Sequence, residues 1–131
     1  VSSDRNAKHD IADLSSDLMV EFVKNLKPSS FIYNVNDSDR THYGLISQDV
    51  EDALSKLNIP TKEFAGFIKT PRTKDVLDEN GNYVKTVDVE GEYNYGLRYE
   101  EFIAPVIKVV QYLLSEVESL KKSNQRKIYG K

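Results

Sequence analysis

Ile103-Ala104-Pro105-Val106-Ile107-Lys108-Val109-Val110-Gln111-Tyr112-Leu113-Leu114-Ser115-Glu116-Val117-Glu118-Ser119-Leu120 returns an apolar residue at Ile103, Val106, Val110, Leu113, Val117 and Leu120, in alternating steps of three and four. That is an a/d heptad stripe carried for about three heptads, with Asn124 at the next a position. Pro105 is tolerated only near a helix start, which places that start between Tyr99 and Phe102 and the helix over 99–124. Ile107, Val109 and Leu114 flank the stripe in its first half, too apolar all round for a solvated surface helix. The helix is therefore expected to pack on its own domain and on other copies. The second half narrows to a/d alone, with Glu116 at g and Lys121 at the following e, the arrangement of an interchain ion pair in a parallel coil. The alternative is one long helix crossing a monomeric core. Oligomer number stays open on the residues alone: Val106 at d disfavours a dimer, whereas Val at a with Leu at d favours one. The polar, basic tail Lys121–Lys131 is expected to fray.

Upstream, the period is two. Gly91 to Arg98 reads as an aromatic strand with Tyr93 and Tyr95 on one face, and Phe64 to Lys69 is strand-like. Between them, Val76 to Val89 contains Asn80-Gly81, the strongest short signal for a tight hairpin. Thr70 to Asp75 is polar and cationic, so the hairpin projects as an arm or else forms part of an ordinary meander. Nearer the N-terminus, Leu14, Leu18, Phe22 and Leu26 recur at i+4 beside Met19 and Val23, capped by Ser15 or Ser16 and stopped by Pro28. A strand over Ser30–Val35 and a polar loop over Asn36–Thr41 follow. The loop's Asp37-Ser38-Asp39 lacks the Gly and distal Glu of a calcium loop. Next come a short strand at Tyr43–Ile46 and a helix capped by Ser47. It shows Val50, Ala53, Leu54 and Leu57 on one face and is closed by Asn58 and Pro60. His42, at a loop-strand junction, reads as a structural hydrogen-bonding residue. The class is α+β: a small sheet with a hairpin arm, two packing helices and the long C-terminal helix.

Composition excludes several functions. With 131 residues and 39% hydrophobic content, residues 1–131 make one domain. A net charge of -3 argues against a reader of phosphate backbones, so no nucleic-acid partner is expected. No cysteine is present, which removes disulfides, thiolate metal sites and cysteine nucleophiles. No apolar run approaches 18 residues and no signal peptide is seen, so no membrane partner is expected. Two histidines without HExxH spacing argue against a metal, and no P-loop cradles phosphate, so no cofactor is expected.

The N-terminal stretch Ser2-Ser3-Asp4-Arg5-Asn6-Ala7-Lys8-His9-Asp10-Ile11 holds the chemistry. Ser3 is a candidate nucleophile five residues before an amine, Lys8, the inventory of a serine-lysine dyad. A serine hydroxyl is a weak nucleophile until an adjacent base takes its proton. Lysine serves as that base only when burial or a neighbouring cation lowers its pKa. Bringing it from about 10.4 to near neutrality costs roughly 4 kcal/mol, so a lone exposed chain end is inert and assembly has to build the site. Asp4 and Arg5 are candidates for support, Arg5 by depressing the Lys8 pKa or holding the loop. The competing reading is an ordinary helix N-cap, Ser-Ser-Asp, followed by a surface lysine.

Four stretches carry a resemblance. Ser3-Asp4 with Lys8 and Ile11 is similar to the opening signature of the C-terminal intramolecular chaperone, or auto-processing, domain of phage tailspikes, endosialidases and neck appendages. Phe31-Ile32-Tyr33 after Leu26-Lys27-Pro28 resembles that family's proline and aromatic strand. His42-Tyr43-Gly44-Leu45-Ile46-Ser47-Gln48-Asp49-Val50 and Tyr95-Gly96-Leu97-Arg98-Tyr99 resemble two further blocks, in order. Ser47, Asp49 and Leu97-Arg98 depart from the usual Ala, Glu and Val-Asp. The resemblance implies a parallel homotrimer through Ile103, Val106, Val110, Leu113, Val117 and Leu120. It implies a chaperone that templates an upstream tailspike or fibre domain of the same precursor. It also implies a single-turnover serine endopeptidase that cuts itself in cis between Ser2 and Ser3, within residues 1–11, through Ser3 and Lys8. The setting implied is the host cytoplasm during virion assembly, with release from the mature fibre. Alternatives are a non-catalytic trimerisation module of the same fold and a binding adaptor using the arm.

Overall fold

Ser15 opens the first helix, α1 (Ser16–Asn25): its Oγ accepts from the Leu18 N–H at 3.2 Å, and its carbonyl accepts from the Met19 N–H at 3.0 Å. Ser15 is one of the two expected caps, and it leaves Leu14, the first residue of the stripe, just ahead of the helix. Leu14 lies outside the helix, Leu18 is exposed, and Met19 and Phe22 are the buried residues of α1. The structure is a computed structural model that describes residues 2–35 and 38–129. Asn36 and Asp37 of the expected polar loop, and Gly130 and Lys131 of the tail, lie outside the described residues.

Strand β1 (Ser29–Phe31) pairs antiparallel with β2 (His42–Gly44), with Ser29 opposite Gly44 and Phe31 opposite His42. Both strands are shorter than their patterns suggest. The alternation continues through Tyr33 and Val35, but the pairing stops at Phe31 and both side chains are exposed. Helix α2 (Ser47–Lys56) follows. Its cap position is Ile46 and Ser47 is its first helical residue, with no side-chain cap bond, which corrects the expected Ser47 cap. Its other end was legible. Asn58 takes a left-handed φ of 56°, its N–H bonds to Ser55 O at 3.1 Å, and the Ile59 N–H bonds to Leu54 O at 2.9 Å. That is a Schellman closure with Asn at the left-handed position and Pro60 just beyond.

Strands β3 (Phe67–Leu77) and β4 (Tyr83–Leu97) form a long antiparallel hairpin. Phe64 to Gly66 stay outside β3, and the two strands expected on either side of Gly91 are one strand, β4. The turn is built by Asp78, whose Oδ1 accepts from the N–H of Asn80 and of Asn82, each at 2.9 Å. Gly81 supplies the positive φ of 82°. The ladder is interrupted between Pro71, which faces Tyr93, and Thr73, which faces Asp88. A 3-10 turn over Tyr99–Phe102 leads into α3 (Ile103–Tyr129), where Pro105 sits in the first turn and forfeits no intrahelical bond. Instead of fraying after Leu120, the helix continues to Tyr129.

The class is α+β, helices with two small antiparallel sheets. Two compact units result, Val1–Lys24 with Ala104–Lys131, and Asn25–Ile103. In the second unit Val50, Ala53 and Leu54 of α2, Phe67 of β3 and Phe102 are buried, and the rings of Phe64 and Phe102 meet edge to face at 5.0 Å. α2 packs on the base of the hairpin. There Lys69 Nζ lies 2.9 Å from Glu51 Oε2, and 4.5 Å and 5.5 Å from the ring centroids of Tyr93 and Tyr95.

The hydrogen bond to Glu51 raises the Lys69 pKa above its ordinary value of 10.5; partial desolvation opposes this, and Tyr95 adds to it. A raised folded-state pKa means that the stabilisation is fully present below about 10.5 and is lost as pH rises through the folded value. Lys69→Met is accordingly expected to melt below the parent protein by a constant margin from neutral pH to about 10, and the margin should shrink above that. Thermal melts over this range check it; a margin that does not change at high pH would remove the ammonium from the account.

Candidate functional site

Asp4 organises the chain's first turn. With φ -63° and ψ 130° it caps the 3-10 turn Arg5–Ala7, its Oδ1 accepting from the Asn6 N–H at 2.9 Å and its carbonyl from the Ala7 N–H at 3.1 Å. The Lys8 N–H closes on Arg5 O at 3.1 Å. The Ser-Ser-Asp string therefore does cap a turn, but a single one, and through Asp4. Beyond it the chain leaves Lys8 in extended backbone and reverses at Asp10, whose φ is 54°. The Asp10 carboxylate lies 3.0 Å from His9 Nδ1 on the protein surface.

This turn brings together the two residues singled out for chemistry. Lys8 Nζ donates to Ser3 Oγ at 2.8 Å. That is the contact a general base needs with the hydroxyl it activates, with the same nitrogen able to return the proton to a leaving amine. Both side chains are exposed. Ser2 directly precedes Ser3 in sequence. Arg5 makes the backbone closure to Lys8 described above.

The other motif stretches meet in the second unit. The ring of His42 stacks on Phe31 (centroids 5.7 Å, 16°) and meets the edge of Tyr33 at 4.9 Å, so it is held as part of an aromatic cluster. Tyr99, 54 residues from Leu45, accepts from the Leu45 N–H at 3.1 Å and donates to the Leu45 carbonyl at 3.3 Å. Gly44 is required by this clamp, because a Cβ there would lie 2.5 Å from the Tyr99 hydroxyl and 3.3 Å from Phe31. Sequence reasoning missed both the Tyr99 clamp and the Lys69–Glu51 pair. Nothing local marks them, since each joins residues brought together only by the fold. An open depression of about 580 Å³ lies beside the clamp, lined by Pro28, Ser29, Tyr43, Gly44, Leu45 and Tyr99.

On α3 the six stripe residues remain between 44% exposed, at Val106, and 64% exposed, at Leu120. Ile107 and Leu114 are exposed as well, so the apolar face spans the a, d and e positions. Among the described residues no group of His, Asp and Glu is arranged to hold a metal ion, and no helix is long and apolar enough to cross a membrane.

Comparison with known proteins agrees with the motifs. Residues 3–59 match the model of a peptidase family described as chaperone of endosialidase. Among solved structures the fold is similar to "a novel intramolecular chaperon", with TM-score 0.63 and 19% identity, over 87% of this chain and 99% of that one. It is also similar to the carboxy-terminal domain of the bacteriophage T5 L-shaped tail fibre with its intramolecular chaperone domain. There the TM-score is 0.62 and the identity 18%, over 93% of this chain but 32% of that one, so this chain spans about a third of that structure. No curated protein matches. The resemblance read from Ser3 to Val50 thus lies inside the matched residues, and the Tyr95–Tyr99 block lies beyond them.

Proposed function

We propose that this chain is an intramolecular chaperone that trimerises through α3, templates an upstream fibre of the same precursor, and then releases itself by cutting the Ser2–Ser3 bond. The observation that carries the catalytic half is the 2.8 Å contact between Lys8 Nζ and Ser3 Oγ, inside residues that match a peptidase family. The chaperone half is supported by the chaperone domains whose fold this chain shares.

The chemistry follows from the geometry. Neutral Lys8 takes the Ser3 hydroxyl proton while Oγ attacks the Ser2 carbonyl carbon. The tetrahedral adduct collapses as Lys8 returns the proton to the Ser3 nitrogen, the C–N bond breaks, and an ester joins the Ser2 acyl group to Ser3 Oγ. Water then hydrolyses the ester, leaving a Ser2 carboxylate upstream and a free Ser3 amine at the head of the released domain. In the lone chain Lys8 is exposed, and the trimer and the upstream chain supply the cover that a lysine general base requires. The setting is the host cytoplasm during virion assembly.

Trimerisation explains the width of the α3 face, since a, d and e positions exceed the two-position seam of a dimer. It also supplies the physical basis of templating. Strand pairing across chains costs closure entropy before contacts form, and a pre-assembled coil raises the local concentration of the strands. Removal of the template afterwards leaves the fibre kinetically trapped.

Three outcomes are expected. Val110→Asp with Leu113→Asp places two charges per chain in the coil layers at a cost of several kcal/mol each, so the trimer dissociates at micromolar concentration and cleavage stops. An unchanged trimer in sedimentation would remove α3 as the interface. Replacing residues 76–87 by a tight turn leaves the domain folded and trimeric but lowers the yield of native fibre; aggregation of the shortened domain would instead make those strands part of its core. Ser3→Ala and Lys8→Ala each bring cleavage of the precursor to background, with the double variant little worse, while Ser2→Ala keeps most activity. Intact mass decides this last case: a released fragment beginning elsewhere than Ser3, or robust cleavage by Ser3→Ala, would end the assignment.

A further inference from the structure

Every residue from Ser2 to Ser15 is exposed, so no core packing within the chain holds Lys8 against Ser3. Five residues of extended chain would span about 16 Å, far beyond the reach of a lysine side chain. Something local must therefore fold the backbone back. The bonds available are Asn6 N–H to Asp4 Oδ1 at 2.9 Å, Ala7 N–H to Asp4 O at 3.1 Å and Lys8 N–H to Arg5 O at 3.1 Å. Two of the three end on Asp4, and one of those needs its side chain. A lone helical turn is costly to nucleate, because it fixes several dihedrals for few bonds, so a cap acceptor decides how often it forms.

We infer that Asp4 is a positioning residue for the cleavage reaction: its carboxylate closes the 3-10 turn that presents Lys8 Nζ to Ser3 Oγ, acting through the backbone and not through its charge. This rests on the Ser3–Lys8 reading above. The side chain needs only an acceptor at this point, so a neutral capping residue serves as well as Asp. A carboxylate acting on Lys8 through space would behave otherwise, since it would favour the ammonium, and its neutralisation would move the pH–rate profile to lower pH.

The experiment follows first-order cleavage of the full-length precursor by intact mass from pH 6 to 9, in the parent and in Asp4→Ala, Asp4→Leu, Asp4→Asn, Asp4→Ser and Ser3→Ala. Asp4→Ala and Asp4→Leu, which lack the acceptor, should cleave about five- to tenfold more slowly, the population factor of a lost N-cap. Asp4→Asn and Asp4→Ser should stay within about twofold of the parent, with the profile midpoint unmoved. Parent-like rates in both Asp4→Ala and Asp4→Leu would overturn the inference. So would an Asp4→Asn as slow as Asp4→Ala, or one whose midpoint falls by about a pH unit. Cleavage by Ser3→Ala would sink the dyad reading itself, whereas an inert Ser3→Ala beside a fast Asp4→Ala would sink only the role of Asp4.

Discussion

The structure depends on how little apolar surface one copy can cover. Among the described residues the buried apolar side chains are Met19 and Phe22 in one unit and Val50, Ala53, Leu54, Phe67 and Phe102 in the other, while the α3 stripe stays about half exposed. Covering a half-exposed Val, Leu or Ile contributes about 1 kcal/mol, so six such positions offer on the order of 5 kcal/mol per chain. That is comparable to the whole stability of a small domain. A chain built this way leaves much of its apolar surface uncovered along α3.

The same shortage explains the small polar anchors that shape the second unit. Where few side chains are buried, the fold is fixed by contacts with defined geometry: the Tyr99 hydroxyl bonding both backbone groups of Leu45, and the Lys69 ammonium shared between Glu51 and two tyrosine rings. Such contacts are individually modest and well directed, and they fix α2, β2 and the base of the hairpin against one another.

What could be read from the residues was what they decide with their neighbours. The Ser15 cap, the Asn58–Pro60 stop, the Asn80-Gly81 turn and the helical period of α3 are local devices, and each lies where its chemistry says. For the candidate site, spacing alone left Ser3 and Lys8 also readable as a helix cap and a surface lysine, and the resemblance singled them out; the fold brings them together within one turn. Strand length was not legible. Alternation through Val35 promised a longer strand, yet β2 offers only three partners and pairing ends with them. Gly91 looked like a break between strands, but the long partner β3 carries β4 through it. The Lys69–Glu51 and Tyr99–Leu45 contacts span 18 and 54 residues and left no mark in the spacing of the chain.

The interruption in the hairpin has a mechanical meaning. Between the pairs Pro71–Tyr93 and Thr73–Asp88, one residue of β3, Arg72, faces four of β4, Val89, Glu90, Gly91 and Glu92, with Gly91 at φ 77°. Arg72 reaches back to the proximal side, its Nε donating at 3.3 Å to Oδ1 of Asn94, which lies opposite Thr70. Regular ladder bonds are missing at the interruption, and bulges bend and over-twist the strand that carries them. The hairpin is thus divided into a proximal segment, which carries Lys69, and a distal segment from Thr73 to Asp88. The bend and extra twist of the hairpin therefore fall at this interruption and at the smaller irregularity between Val76 and Leu77, where the regular register is lost.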